Sequence, residues 1–264
     1  MRNSTNISLT SHSQFEELTP NKLKFAMQKT EHLLLVSNST NAGEEYLSWP
    51  IKEIGEFLQG VKRVAFVPYA GVTFSHDDYV KKVQKRFDEI GVEVVGVHAN
   101  NDPREVVEEA EAIVVGGGNT WRLLQLMQNN DLLDAIRQKV NAGTRYVGWS
   151  AGANVACPTI RTTNDMPITE PRDFNALSFV PFQINPHYLD VSPAGHGGET
   201  REDRIMEFIE VNRFMYVVGL REGCLLEVKG GKVELRGKRA ARIFHYGKEP
   251  MEVEPGDDLQ FLMA

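Results

Sequence analysis

The chain has 264 residues, 41% of them apolar, and a formal net charge of −7. That length suits one large α/β domain with a full core, and the acidic balance argues against general nucleic-acid or membrane-surface binding, which selects for basic patches. No apolar stretch approaches the roughly 20 residues of a membrane span, and the two cysteines, Cys157 and Cys224, have no metal-ligand spacing and are expected as free thiols in a reducing compartment.

Residues 1–30 are rich in Ser, Asn and Thr and carry neither periodicity nor an apolar h-region, so they are expected as a polar, flexible extension with one short helix around Lys22–Lys29. They do not resemble a secretory signal, and a cytoplasmic address follows. The run Leu33–Val36 has the continuous apolar character of a strand buried on both faces. A helix is predicted over Leu47–Leu58, then the strand Val64–Val67, which Pro68 ends. Asp77–Ile90 has helical spacing, with Tyr79, Val83, Phe87 and Ile90 on one side. Val92–Val97 reads as a strand, and Asp102-Pro103 as a helix start continued by Val106, Val107 and Ala110. The strand Ala112–Val115, helices over Leu123–Met127 and Leu132–Val140, and the strand Arg145–Gly148 complete the alternation. Repeated β-α units with apolar strands imply a parallel sheet wrapped by helices. Beyond Ser150, residues 157–200 are rich in Pro, Asn and Thr and are expected to loop over the sheet edge. A helix over Glu202–Val211 and a strand over Met215–Leu220 follow, then antiparallel hairpin strands at Leu225–Val228, Val233–Leu235 and Arg242–Tyr246. No linker divides residues 31–264, which are expected as one catalytic domain.

Two glycine-rich turns carry chemistry. Gly148-Trp149-Ser150-Ala151-Gly152 matches the Gly-x-Ser-x-Gly nucleophile elbow, in which small residues let a strand turn sharply into a helix and expose the serine hydroxyl. The plain alternative is a glycine-rich turn with an ordinary serine. Gly116-Gly117-Gly118-Asn119-Thr120 follows a strand and opens a helix. It suits a phosphate cradle, one wall of an oxyanion hole, or simply a tight turn. No Walker Lys-Ser/Thr follows it and the Gly-x-Gly-x-x-Gly spacing is missing, which favours oxyanion donors from the backbone of Gly118 and Ala151. A serine nucleophile needs a base. Among seven histidines, His187, at a loop entry after the extended run Gln183–Pro186, is preferred to His76, His98 and His196.

Together with Gly116–Thr120, the runs Gly148–Asn154, Cys157–Pro167, Gln183–His187 and Gly198–Arg204 closely resemble the peptidase E family of serine peptidases, the alpha-aspartyl dipeptidases. The likeness extends from about Leu33 to Val228. It implies a sheet like that of class I glutamine amidotransferases, Ser150 as nucleophile and His187 as general base. Asp165 and Glu222 both match family positions for the third member, and the choice between them stays open. Selectivity for an N-terminal aspartate calls for a bidentate arginine, Arg201 first and Arg161 second, with Glu199 for the α-amine and Asn119 orienting the scissile peptide. The implied substrates are Asp-X dipeptides, cleaved by a monomer or homodimer with no metal or organic cofactor. A cyanophycinase-like peptidase acting on aspartyl-arginine polymers and a catalytically silent binding protein on the same fold are the rival expectations.

Overall fold

The computed structural model describes residues 31–190 and 197–264, so the expectations for residues 1–30 and for His196 lie outside the described residues. The elements in chain order are β1 (His32–Val36), α1 (Ile51–Phe57), β2 (Arg63–Val67), α2 (His76–Phe87), β3 (Glu93–Gly96), α3 (Pro103–Glu109), β4 (Ala112–Val115), α4 (Thr120–Asn129), α5 (Leu132–Asn141), β5 (Arg145–Trp149), α6 (Ala151–Asn154), β6 (Gln183–Tyr188), α7 (Arg201–Val211), β7 (Val217–Arg221), β8 (Cys224–Lys229), β9 (Lys232–Gly237), β10 (Ala241–Phe244) and β11 (Met251–Val253).

Seven strands form one sheet in the order β3-β2-β4-β5-β1-β8-β9. Strands β1 to β5 pair in parallel, with Leu33–Val36 opposite Tyr146–Trp149. The β8–β9 hairpin extends the β1 edge antiparallel. Both faces of the parallel part are covered, which is why its strands read as unbroken apolar runs. The two-residue strand period divides them between two cores. Leu33, Leu35, Val67, Ile113 and Val115 pack with Val107, Leu123, Met127, Ile136 and Val140 from α3, α4 and α5. Leu34, Val36, Phe66, Val114 and Trp149 pack with Ile54, Phe57, Tyr79, Val83 and Phe87 from α1 and α2. Side chains cap the helices: Ser75 accepts from the Asp78 N–H and Asp102, ahead of Pro103, from the Arg104 N–H, both at 3.0 Å.

The antiparallel C-terminal strands are present, and they divide between two sheets. β6, β7, β10 and β11 build a second sheet in the order β11-β10-β7-β6, in which β6 and β7 are parallel. It carries its own small core of Tyr188, Val217 and Phe244 beneath Ile205 and Ile209 of α7. One sequence expectation is corrected here. Gln183–Tyr188 is a strand rather than an extended run entering a loop, and its register shifts between Pro186 and Tyr188. Pro186 obscured it: proline lacks a ladder donor and is confined to edges and bulges, and β6 is an edge strand with a bulge.

Leu34 is fully buried. Leu34→Ala is therefore expected to lower the unfolding free energy by about 2–5 kcal/mol in a urea titration. A loss below roughly 1 kcal/mol would mean that this face of the sheet is not closely packed.

Candidate active site

Ser150 lies between β5 and α6 with φ 53° and ψ −112°, a region that a non-glycine residue occupies only when its surroundings hold it there. Its N–H donates to the Val36 carbonyl at 2.9 Å, and its carbonyl accepts from the Ala153 and Asn154 N–H groups at 2.9 and 3.0 Å. Gly152 makes the turn possible, because a Cβ there would lie 2.2 Å from the Val115 carbonyl oxygen of β4.

His187 projects from the β6 bulge, also at a positive φ of 53°. Its Nε2 is 3.0 Å from Ser150 Oγ, and its Nδ1 is 2.7 Å from Glu222 Oε1. Glu222 follows the last residue of β7 and precedes Gly223, which turns the chain at φ 79° into β8. A serine, a histidine and a glutamate thus form one hydrogen-bonded chain.

Asp165 takes a different position. Its Oδ2 accepts from the Thr120 N–H at 2.7 Å, from Thr120 Oγ1 at 2.6 Å and from Thr163 Oγ1 at 3.1 Å. The carboxylate caps the N-terminus of α4, where the helix dipole favours negative charge. With Trp121 Nε1 donating to the Asp165 carbonyl at 3.0 Å, this ties the segment after α6 to α4.

These residues line a cleft of about 670 Å³, whose walls include Gly117, Gly118, Ser150, Asp165, His187, Arg201 and Glu222. Gly118 sits at φ 136°, where a Cβ would strike the Ala70 carbonyl oxygen at 2.2 Å, and a Cβ on the preceding Gly117 would lie 3.0 Å from Ser150 Cβ, so the turn packs beside Ser150 without side chains. Among the described residues, neither the Gly118 nor the Ala151 N–H has a hydrogen-bond partner. Arg201 opens α7 and is half-buried. Its Nη1 is buried without a hydrogen-bond partner among the described residues. Burial first, and nearby Arg204 second, hold its guanidinium below the ordinary value, while Glu222 and Asp165 act the other way.

Three sequence candidates do not line the cleft. The Asn119 amide caps α4, accepting from the Arg122 N–H at 3.0 Å and donating to the Met166 carbonyl at 2.9 Å. Arg161 lies over the Phe174 ring in a separate depression beside Trp121. Glu199 is exposed, 3.7 Å from Arg204. His98 and Asp77 pair at 2.8 Å, with the His76 ring edge-on to His98 and likewise outside the cleft.

Sequence reading missed several contributors. Tyr79, assigned only to the helix core face, donates from its hydroxyl to the Gly117 carbonyl at 2.9 Å and accepts from Tyr46 and from Trp149 Nε1, both at 3.3 Å. Burial raises its phenol pKa, so it stays a donor that fixes the glycine turn. Lys82 also lines the cleft, over the Tyr46 ring. A buried tyrosine at helical spacing carries no signal that tells a packing ring from one that also holds a loop.

Comparison with known proteins adds independent findings. A family model described as peptidase family S51 matches residues 33–236. The chain is 49% identical over 235 residues to a peptidase E of Nostoc sp., covering 89% of this chain and 97% of that one. It is 46% identical over 224 residues to a peptidase E of Shigella flexneri serotype 5b, covering 85% and 98%. The crystal structure of a peptidase from an acI-B1 Actinobacterium has a TM-score of 0.65 at 17% identity, covering 89% of this chain and 99% of that one, a likeness of fold alone.

The two acids differ in what they hold. Asp165→Asn is expected to lower the unfolding free energy by about 1–2 kcal/mol, from the lost helix-terminal charge and weakened charged hydrogen bonds. Glu222→Gln, whose side chain is 38% exposed, is expected to change it by less than about 1 kcal/mol. Paired urea titrations check this, and equal losses would contradict it.

Proposed function

Given that this chain belongs to peptidase family S51 and is a serine-type dipeptidase, we propose that it hydrolyses Asp-X dipeptides through an acyl-enzyme on Ser150. His187 Nε2, 3.0 Å from Ser150 Oγ, takes the hydroxyl proton as Oγ attacks the aspartyl carbonyl. Glu222, hydrogen-bonded to Nδ1, fixes the imidazole tautomer and stabilises the imidazolium that forms. The N–H groups of Gly118 and Ala151, unpaired among the described residues, receive the oxyanion. His187 then protonates the departing amine, and water, activated by the same histidine, releases aspartate.

The observation that carries the substrate assignment is Arg201, a half-buried guanidinium on the cleft wall with a buried, unpartnered Nη1 among the described residues. A buried cation without a partner is costly, and a substrate carboxylate would relieve that cost. The aspartyl side chain supplies one. The Asp165 carboxylate on the same cleft suits the α-ammonium group. The chain's net charge of −7 makes a local cation more necessary for an acidic substrate.

Residues 31–264 are taken as a single catalytic domain acting in the cytoplasm. Cys157 and Cys224 are free and buried, which suits a reducing compartment. Among the described residues, no helix is long and apolar enough to cross a membrane.

Two kinetic experiments test the proposal. Ser150→Ala is expected to fold normally and to lose several orders of magnitude in turnover of Asp-Leu, and near-wild-type turnover would end the acyl-enzyme mechanism. Arg201→Met is expected to reduce kcat/KM on Asp-Leu roughly ten- to hundredfold more than on Asn-Leu or Ala-Leu, with Arg201→Lys recovering part of the loss. A uniform drop across the three substrates would make Arg201 structural. Preference for a β-aspartyl-arginine dipeptide in the same panel would favour the cyanophycinase-like activity instead.

A further inference from the structure

The end of β1 supplies hydrogen bonds to each chain segment that carries a member of the Ser150–His187–Glu222 chain. The Val36 carbonyl accepts from the Ser150 N–H at 2.9 Å. The next residue, Ser37, accepts from the His187 N–H at 2.9 Å and donates to the Leu220 carbonyl at 2.7 Å, both through Oγ. Asn38 follows, and its Oδ1 accepts from the Gly223 N–H at 2.8 Å. The Asn38 amide nitrogen donates to the Thr40 carbonyl and to Asn41 Oδ1, both at 2.9 Å. Both side chains are completely buried. Three consecutive residues therefore set the relative positions of residue 150, residue 187 and the turn at 220–223.

We infer that Ser37 and Asn38 are positioning residues for catalysis, Ser37 acting through His187 and Asn38 through the Glu222 turn. The Ser37 hydroxyl donates one bond and accepts one, and the two together fix its orientation. It holds the peptide of a histidine that sits at φ 53°, a conformation that persists only where neighbours enforce it. The bond crosses from the seven-stranded sheet, which carries Ser150, to the four-stranded sheet, which carries His187. Without it the two sheets lose a direct tie beside the 3.0 Å contact between Nε2 and Oγ. Asn38 plays the corresponding part for Glu222, because Gly223 N–H is the first backbone donor after that carboxylate. Neither side chain lines the cleft. Their removal should therefore slow the chemistry without weakening substrate binding.

This inference rests on the assignment of Ser150, His187 and Glu222, and the test separates the two. Steady-state kinetics on Asp-Leu would be compared for wild type, Ser37→Ala, Ser37→Thr, Asn38→Ala and Ser150→Ala, with urea titrations giving the folded fraction at the assay temperature. Ser37→Ala and Asn38→Ala are expected to lose about 10- to 100-fold in kcat per folded molecule with KM nearly unchanged, since misplacement near 1 Å costs on that order. Ser37→Thr, which keeps the hydroxyl, is expected to recover most of kcat. A folded Ser37→Ala with wild-type kcat beside an inactive Ser150→Ala would overturn the inference and leave the triad standing. A loss that only tracks the unfolded fraction, or one that Ser37→Thr fails to recover, would likewise overturn it. Full turnover by Ser150→Ala would remove the triad itself.

Discussion

The site depends on a serine held at φ 53° and ψ −112° at the end of a buried strand. Such a conformation costs on the order of 1–3 kcal/mol, so it lasts only where the surrounding structure over-determines it. Here the Val36 carbonyl takes the Ser150 N–H, and the Tyr146 hydroxyl donates to the Gly152 carbonyl at 2.7 Å. Gly152 lies against the Val115 carbonyl, where no side chain fits. Buried hydrogen bonds of this kind contribute roughly 0.5–1.5 kcal/mol each, enough together to offset the strain. The rigid parallel sheet is thus a condition for an exposed, fixed hydroxyl.

The hydrogen-bonded chain Ser150–His187–Glu222 spans two sheets. Ser150 follows β5 of the larger sheet and His187 lies in β6 of the smaller. Glu222 sits where the chain passes from β7 of the smaller sheet to β8 of the larger. Arg221 anchors that crossing. Its guanidinium is buried and donates to Asp190, to Glu252 and to the Ala240 carbonyl. Those bonds, to Glu252 first and Asp190 next, push its pKa above the ordinary arginine value despite burial. An arginine so saturated cannot serve a substrate, whereas Arg201 retains an unpartnered nitrogen among the described residues. Burial alone therefore does not distinguish the two arginines; their hydrogen-bond partners do.

Charge is partitioned around the cleft with similar economy. Asp165 Oδ2 is taken up by the Thr120 N–H and the two threonine hydroxyls, which fix the carboxylate to the cleft wall, and no bond is made by Oδ1 among the described residues. Glu222 has only the imidazole as a side-chain partner among the described residues and stays partly exposed. Glu222 is thus placed to orient the His187 ring, and Asp165, held by three donors on α4 and Thr163, is not.

By itself the sequence determined the larger sheet and the sharp turn that presents Ser150. Strands such as Leu33–Val36 and Ala112–Val115, buried on both faces, must be apolar throughout, and Gly148-Trp149-Ser150-Ala151-Gly152 states locally the steric demand of the turn. These are short-range constraints, and short-range constraints are written in adjacent residues. Only the tertiary structure decided that Glu222, rather than Asp165, meets His187, that Asn119, Arg161 and Glu199 stand away from the cleft, and that Ser37, Asn38 and Tyr79 brace it. It also decided the division of the C-terminal strands between two sheets. Each of those outcomes is a meeting of residues far apart in the chain, set by which sheet edge a strand pairs with, and strand pairing over long separations leaves no periodicity for the sequence to display.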